Sequence, residues 1–159
     1  MRCEEHLSDT DVIDVEVRNL LVQSLLILIC AEFERKFKDL TIARCSSVSD
    51  ASVMSYIEKI TERTFRSLRL HDVSNLLAQF GPMHKDKFSQ LRDDKADHMY
   101  SSIVNNRNNV AHGRISNVTI GELKLYYEEG HLVLDYFREA LGVDLMVRTV
   151  ASMGDDSHG

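Results

Sequence analysis

The chain has few of the residues that break or cross-link a fold. It contains one proline, seven glycines and no tryptophan among 159 residues. Such a scarcity of helix breakers favours helices. Its three cysteines, Cys3, Cys30 and Cys45, are odd in number and form no Cys-x-x-Cys pair, which argues against a disulfide framework or a zinc site. We therefore expect Cys30 to be an ordinary core residue.

A long apolar run is also missing. The longest one, Leu25 to Ala31, is too short to cross a bilayer. Glu4 and Glu5 stand where a signal peptide would carry positive charge. These features predict a cytoplasmic protein that does not associate with a membrane. The length suits one domain, which we place over residues 1–148, and the small, polar residues 149–159 are expected to form a disordered tail.

Positive charge is not in excess. The formal net charge of −6 argues against broad, non-specific binding of nucleic acids, although it allows a local basic cleft. One basic group is Lys59, Arg63 and Arg66, which are spaced to share a helical face, with Arg69 close behind. Both a solvated helix surface and a weak contact stripe for a nucleic-acid backbone remain open for this group.

Helical periodicity accounts for most of the chain. A first helix, capped by Asp9 or Asp11 and ending near Leu40, is apolar almost all round between Leu20 and Phe33, so we expect it at the centre of a bundle. Further helices are expected over residues 50–65, 72–80, 85–92, 95–112 and 120–141. The pattern predicts an all-α bundle.

The last of these helices has the clearest apolar seam. Its members alternate steps of three and four residues: Ile120, Leu123, Tyr127, Gly130, Leu134, Phe137 and Leu141. Such a seam is more often plain core than a surface for a partner protein. Gly130 weakens the helix by about 1 kcal/mol relative to alanine, but it allows another backbone to approach closely.

The most specific feature is the segment Arg107-Asn108-Asn109-Val110-Ala111-His112-Gly113. It puts a guanidinium, two carboxamides and an imidazole at the end of a predicted helix, and Gly113 stands where a left-handed cap belongs. The same spacing from arginine to histidine recurs at Arg66 and His71. That second pair lacks the asparagine after the arginine and the glycine after the histidine, so we expect it to carry no chemistry.

The position of Arg107 on its helix indicates a special environment. It continues the apolar stripe of Tyr100 and Ile103, so its side chain should face a packed surface and need a carboxylate, an anion or a water-filled cleft. Glu34 on the first helix is the expected carboxylate. A plain helix cap with a buried ion pair between Arg107 and Glu34 is the alternative without a function.

His112 lies in a different direction from Arg107. Five residues along an ideal helix correspond to a rotation of about 140°, so the two share a face only if the helix ends between them. Two copies related by a two-fold axis would solve this problem, because Arg107 of one chain could then meet His112 of the other. We therefore predict a homodimer that buries the helix ending at His112.

These residues resemble the R-N-x-x-x-H signature of the HEPN superfamily. The order of features over residues 12–141 is similar to its RiboL-PSP HEPN branch. The matching features are Ala31-Glu32-Phe33-Glu34-Arg35 on the first helix, Phe80-Gly81 and Phe88 ahead of the signature, and Thr119 with Glu122-Leu123 at the start of the last helix. The resemblance implies a dimeric bundle of four to five helices that, in catalytic members, cuts RNA without a metal at a cleft formed by two signatures.

The resemblance also implies roles for individual residues. Arg107 and His112 match the catalytic pair, Asn108 matches the polar residue beside the arginine, and Glu34 matches an acidic position on the first helix. Some toxin members carry a tyrosine, to which a partner enzyme attaches nucleotides, where this chain has Arg114. Silencing through that tyrosine is therefore not expected, and Arg114 is counted with Asn109 as a supporting residue that adds phosphate contact.

The residue types suit this chemistry. In RNA cleavage by 2′-hydroxyl attack, a guanidinium such as that of Arg107 holds the growing phosphate charge. An imidazole such as that of His112 protonates the leaving oxygen, and Asn108 would orient His112 or the phosphate. No His-x-His, His-Glu-x-x-His or glycine-rich loop is found in the sequence, so neither a metal nor a cofactor is expected.

The sequence thus favours a metal-independent endoribonuclease in a toxin–antitoxin or defence setting. Its expected partners are RNA, a second copy of the chain and a protein antitoxin. The alternative is a non-catalytic helical module that dimerises and binds a nucleotide or another protein.

Overall fold

The computed structural model describes residues 15–66, 68–114 and 116–143, and these form helices without a strand. The helices are α1 (Val15–Arg44), α2 (Ala51–Thr64), α3 (Leu70–Phe80), α4 (Pro82–Leu91), α5 (Asp94–Ala111), α6 (Ile120–Gly130) and α7 (Leu132–Leu141). The all-α prediction is confirmed. The seven helices of the described residues exceed the expected four to five, because short segments form separate helices around Gly81 and His131. The predicted caps Asp9 and Asp11 and the predicted tail lie outside the described residues.

Helix α1 is buried along one face. Residues spaced three or four apart form this buried face: Val22, Leu26, Cys30, Phe33, Phe37 and Thr41. On the other side, Leu20 and Leu28 are each 63% exposed. The prediction that residues 20–33 are buried all round is therefore wrong within a single chain. No helix of the described residues is long and apolar enough to cross a membrane.

Helices α1 and α5 pack antiparallel at the centre of the fold. The ring of Phe37 lies 6.0 Å from that of Tyr100 in an edge-to-face contact, whereas Cys30 Sγ lies 3.9 Å from the carbonyl oxygen of Ile103. Moving toward the N-terminus of α1 thus means moving toward the C-terminus of α5. The N-terminal half of α1 consequently flanks the end of α5, where the Arg107–Gly113 motif lies.

The last predicted helix is divided in two. Its seam is core as expected, with Leu123, Leu134 and Phe137 buried, but His131 interrupts the helix between α6 and α7. Beside this break, a Cβ atom on Gly130 would lie only 3.2 Å from the backbone of Tyr100. The prediction that Gly130 permits a close backbone approach is confirmed, and α6 can pack tightly against α5 for this reason.

Candidate functional site

The predicted end of helix α5 is confirmed in its geometry. His112 is the C-cap, and Gly113 has a positive φ of 69°. The amide of Gly113 donates to the carbonyl of Val110 at 3.0 Å, and the amide of Arg114 donates to that of Asn109 at 2.9 Å. This pair of hydrogen bonds is the Schellman motif, which ends a helix through a left-handed residue. The helix therefore ends between Arg107 and His112.

The guanidinium of Arg107 is half-buried and lies toward α1. Its Nη1 atom donates to Oδ1 of the neighbouring Asn108 at 3.4 Å. The pKa of the Cys30 thiol is raised to about 12, mainly by burial and secondarily by the charge of Glu34, while the charge of Arg107 acts to lower it. Glu34 and Arg107 thus both lie near Cys30, which is itself only 4% exposed, as expected of a core residue.

Glu34 and Arg107 lie close enough to Cys30 for both charges to act on its thiol. Elsewhere on α1, ion pairs join neighbours such as Arg35 and Asp39, whose side chains lie 3.1 Å apart. Glu34 also acts on Tyr100, whose phenol pKa is raised mainly by burial and secondarily by nearby negative charge. The ion pair between Arg107 and Glu34 stays a prediction, as does its alternative, an anion bound at Arg107.

The remaining motif residues divide between the helix and the turn. Asn108 and Asn109 are half-buried, whereas His112 and Arg114 are exposed. The amide of His112 donates to the carbonyls of Asn108 and Asn109 at 3.1 and 3.2 Å, so its backbone is held while its imidazole is open to solvent. The structure thus brings Arg107 and Glu34 near Cys30 between α1 and α5, joins Asn108 to Arg107 by a hydrogen bond, and places His112 and Arg114 at the helix end.

A hydrogen-bonded pair that the sequence analysis missed holds the segment after the motif. Ser116 is 6% exposed, and its hydroxyl donates to Oδ1 of Asn106 at 3.2 Å. Nδ2 of Asn106 donates in turn to the carbonyl of Ser102 at 2.9 Å. The turn that carries His112 is thereby anchored to the body of α5. In the sequence, the only sign of this role is that Asn106 carries a carboxamide and directly precedes Arg107.

The start of α6 fixes the other end of the segment that follows the motif. Thr119 caps the helix by accepting from the amide of Glu122 at 3.2 Å, and the carboxylate of Glu122 accepts from the amide of Thr119 at 2.8 Å. The hydrogen bonds that this carboxylate accepts from the amide and the hydroxyl of Thr119 lower the pKa of Glu122. Because α6 and α5 are both fixed on either side of the loop, the position of the motif turn is determined from both ends.

The described residues contain no group of three or more histidine, cysteine, aspartate or glutamate side chains placed to hold a metal ion.

Comparison with known proteins gives one finding. The sequence model of the RiboL-PSP-HEPN family matches residues 2–142. Among curated proteins and among solved structures, no significant match to this chain is found. Because the match spans nearly all of the 159 residues and includes the Arg107–His112 signature at the end of α5, the chain belongs to the RiboL-PSP-HEPN family.

Proposed function

We propose that this protein is a metal-independent endoribonuclease of the HEPN type. The end of α5 carries the proposal: the helix stops between Arg107 and His112, so that a half-buried guanidinium and an exposed imidazole lie at one helix end. The first group suits a bound phosphate and the second suits proton transfer. Membership of a family that includes ribonucleases supports the choice of RNA as substrate.

The proposed reaction uses the 2′-hydroxyl of the RNA as nucleophile. This oxygen attacks the adjacent phosphorus and its proton passes to solvent, while the bond from phosphorus to the 5′-oxygen breaks. Arg107 stabilises the charge that builds on the non-bridging oxygens, and His112 donates a proton to the departing 5′-oxygen. The products are a 2′,3′-cyclic phosphate and a free 5′-hydroxyl.

Asn108 takes a different role from either of those expected. Because its Oδ1 accepts a hydrogen bond from Arg107, we propose that it positions the guanidinium rather than His112. Arg114, exposed one residue beyond the glycine of the turn, adds a contact to the substrate backbone. Asn109 supports the site through its carbonyl, which accepts from Arg114 and His112.

The composite site needs a second copy of the chain, and helix α1 offers a surface for it. The outer side of its N-terminal half is apolar and exposed at Val17, Leu20, Leu21, Ile27 and Leu28. We call these five residues the α1 apolar face. Soluble monomers rarely expose so contiguous an apolar patch. The apolar side chains of α5 itself are packed inside the chain, so we place the dimer interface on α1, beside the end of α5, and not on α5 as the sequence suggested.

Such a dimer would bring two motifs together. The α1 apolar face flanks the C-terminal end of α5, because α1 and α5 run antiparallel. A two-fold axis through this face would place Arg107 of one subunit beside His112 of the other. We infer that the exposed imidazole of each chain acts on the phosphate held by the other chain.

The biological setting is part of the proposal. An endoribonuclease of this kind needs control, and a toxin–antitoxin or defence system with a protein antitoxin would supply it. A gene for a nucleotidyltransferase-like protein or a transcription regulator beside this one would support the setting. An unrelated neighbour would leave the enzyme proposal standing and remove the antitoxin from it.

Cleavage chemistry tests the proposal directly. RNA cutting is expected to survive EDTA and to leave a 2′,3′-cyclic phosphate, which chromatography of the products identifies. A substrate with 2′-deoxyribose at the scissile position should resist, because the internal nucleophile is gone. Cutting of that deoxy substrate, or a strict need for magnesium, would contradict the mechanism. A dimer that cuts no RNA under any condition would favour the non-catalytic binding module instead.

A further inference from the structure

A polar cavity lies beside the connection between α2 and α3. Its volume is about 300 Å³, and its walls include Arg66, Leu68, Asp72, Asn75, Leu76 and Gln79. This volume is at the lower end of the range for small-molecule pockets, so the cavity suits a ligand about the size of one nucleotide. It contains the arginine of the pair Arg66 and His71, which the sequence analysis expected to be inert.

The walls of the cavity differ in polarity. Leu68 and Leu76 are 4% and 8% exposed and form an apolar floor. Arg66, Asn75 and Gln79 lie exposed around it. Within the part of the chain that the structure describes, no side-chain hydrogen bond occupies these three groups. Their donors and acceptors are therefore available to a ligand.

Asp72 is already engaged at the edge of the cavity. One carboxylate oxygen accepts from the amide of Arg69 at 2.9 Å, and the other lies 2.9 Å from Nε2 of His71. His71 thus lies beside Asp72 but does not line the cavity, whereas Arg66 does. The two members of the pair have different environments, and only Arg66 can contribute to binding in the cavity.

This combination favours a nucleobase over other ligands. A flat heterocycle can rest on Leu68 and Leu76, and its edge carries both donors and acceptors that match two carboxamides and a guanidinium. Inorganic phosphate could use Arg66, but it would gain nothing from the apolar floor and would be repelled by Asp72. The unpaired bases of single-stranded RNA present such edges.

The cavity is connected to the proposed site through α5. The carbonyl of Leu68, in the cavity wall, accepts a hydrogen bond from the hydroxyl of Tyr100 at 2.7 Å. Arg107 lies two turns further along α5 on the same face, a distance of roughly 10 Å. Glu34 acts electrostatically on both Tyr100 and Cys30, and Arg107 acts on Cys30. The cavity wall and Arg107 are therefore linked through α5.

We propose that this cavity binds one unpaired base of single-stranded RNA, whose backbone continues to the phosphate held by Arg107. Asn75 and Gln79 contact the edge of the base, and Arg66 stacks on it or pairs with it. The inference rests on the proposed function for its substrate, and it adds a base-binding subsite that would bias where the RNA is cut.

The experiment measures binding without cleavage. The chain with His112→Ala is titrated against a fluorescent single-stranded RNA of about 12 nucleotides, a length in the usual range for strand-binding proteins. Adding Asn75→Ala with Gln79→Ala should raise the dissociation constant about 10-fold, equivalent to about 1.4 kcal/mol. Arg66→Ala should raise it by a similar factor. All the replaced side chains are exposed, and equal melting temperatures check that the fold is kept.

Matched controls separate the cavity from general charge and polarity. Arg63→Ala removes the same charge from the neighbouring turn, and Gln90→Ala removes a carboxamide from α4. Each should change the dissociation constant less than about twofold, since neither residue lines the cavity. Equal weakening by Arg63→Ala and Arg66→Ala, or no effect of the double variant, overturns the proposal.

Abasic RNA tests whether the ligand is a base. A single abasic position is moved along the oligonucleotide, and one position should weaken binding to the chain with an intact cavity. The same position should have no further effect in the Asn75→Ala, Gln79→Ala chain, because the contact is already lost. Additive effects at every position overturn the proposal. Cavity-dependent binding by a wild-type chain that cuts no RNA would overturn the proposed enzyme and leave this subsite intact.

Discussion

The two ends of the α1–α5 pair differ in how completely a single chain closes them. At the closed end, Phe33, Phe37 and Tyr100 pack together, and the rings of Phe37 and Phe137 meet edge to face at 4.9 Å. At the open end, the α1 apolar face is exposed and α5 finishes in the polar motif. The closed end is therefore packed within the chain, whereas the open end leaves apolar side chains of α1 exposed among the described residues.

Because of this difference, we expect the closed end to determine stability and the open end to determine function. Aromatic packing and the close approach at Gly130 fix the closed end, so changes there should affect the free energy of unfolding. The open end holds apolar side chains of α1 that are exposed among the described residues, together with the polar motif. Changes there should affect assembly and RNA cleavage while the fold is kept.

The largest effect is expected from the motif at the open end. Arg107→Ala or His112→Ala should lower the rate of RNA cleavage by about 10³-fold or more, because each removes a group that acts on the reacting phosphate. Single-turnover assays measure this loss. His71→Ala, on the surface beside Asp72, is the control and should retain activity. Comparable loss in the His71 variant, or a lowered melting temperature in the motif variants, would point to instability instead of catalysis.

Mixing the two inactive chains tests whether the site is shared. In a mixed dimer of Arg107→Ala and His112→Ala subunits, one of the two composite sites keeps both groups. Random mixing should therefore restore about a quarter of the wild-type activity. Refolding the two chains together and assaying the mixture measures this recovery. No recovery, in a mixture shown to contain mixed dimers, would mean that each site is built from one chain.

Charge on the α1 apolar face should separate the subunits. Leu20→Asp together with Leu28→Asp is expected to raise the dimer dissociation constant about 100-fold, because both side chains would be buried in the interface. Sedimentation at tens of micromolar measures the shift, and cleavage should fall with it. Tyr56→Asp on α2, where the side chain is 64% exposed, changes an equally exposed apolar residue away from this face and should leave the dimer intact. A wild-type monomer under these conditions would contradict the composite site.

The smallest effects are expected at the closed end, where they concern stability alone. Gly130→Ala should destabilise the fold by about 1–2 kcal/mol, since the added methyl would crowd the backbone of Tyr100 and outweigh the gain in helix propensity. Gly121→Ala is the matched control in α6, because a Cβ there meets nothing within 4 Å, and it should stabilise by up to about 1 kcal/mol. Thermal unfolding of both variants gives the comparison; equal effects would mean that the close approach is unimportant.

Local sequence signals predicted much of the backbone and the motif. The positive φ of Gly113, the start of the last helix at Thr119 and the core position of Cys30 are confirmed, because each depends on residues close in sequence or on the burial preference of one residue type. The family was recognised from the motif and the order of the helices for the same reason. Which residues act in the site stays a prediction that the experiments above test.

Other features depend on contacts between segments that are distant in sequence, and local sequence signals do not predict them. The exposed side of α1 could not be read from the sequence, because residues 20–33 are apolar on nearly every face and give no direction to the core. The hydrogen bond from Arg107 to Asn108 depends on rotamers within a packed helix pair.

The sequence by itself determined the helices, their caps and the groups that the motif presents, because these follow from helical periodicity and backbone preferences over a few residues. Only the tertiary structure decided that the N-terminal half of α1 leaves an apolar face beside the end of α5, and that Arg66 joins Asn75 and Gln79 around one cavity. Both arrangements bring together segments distant in sequence, and their geometry depends on how whole helices pack against one another.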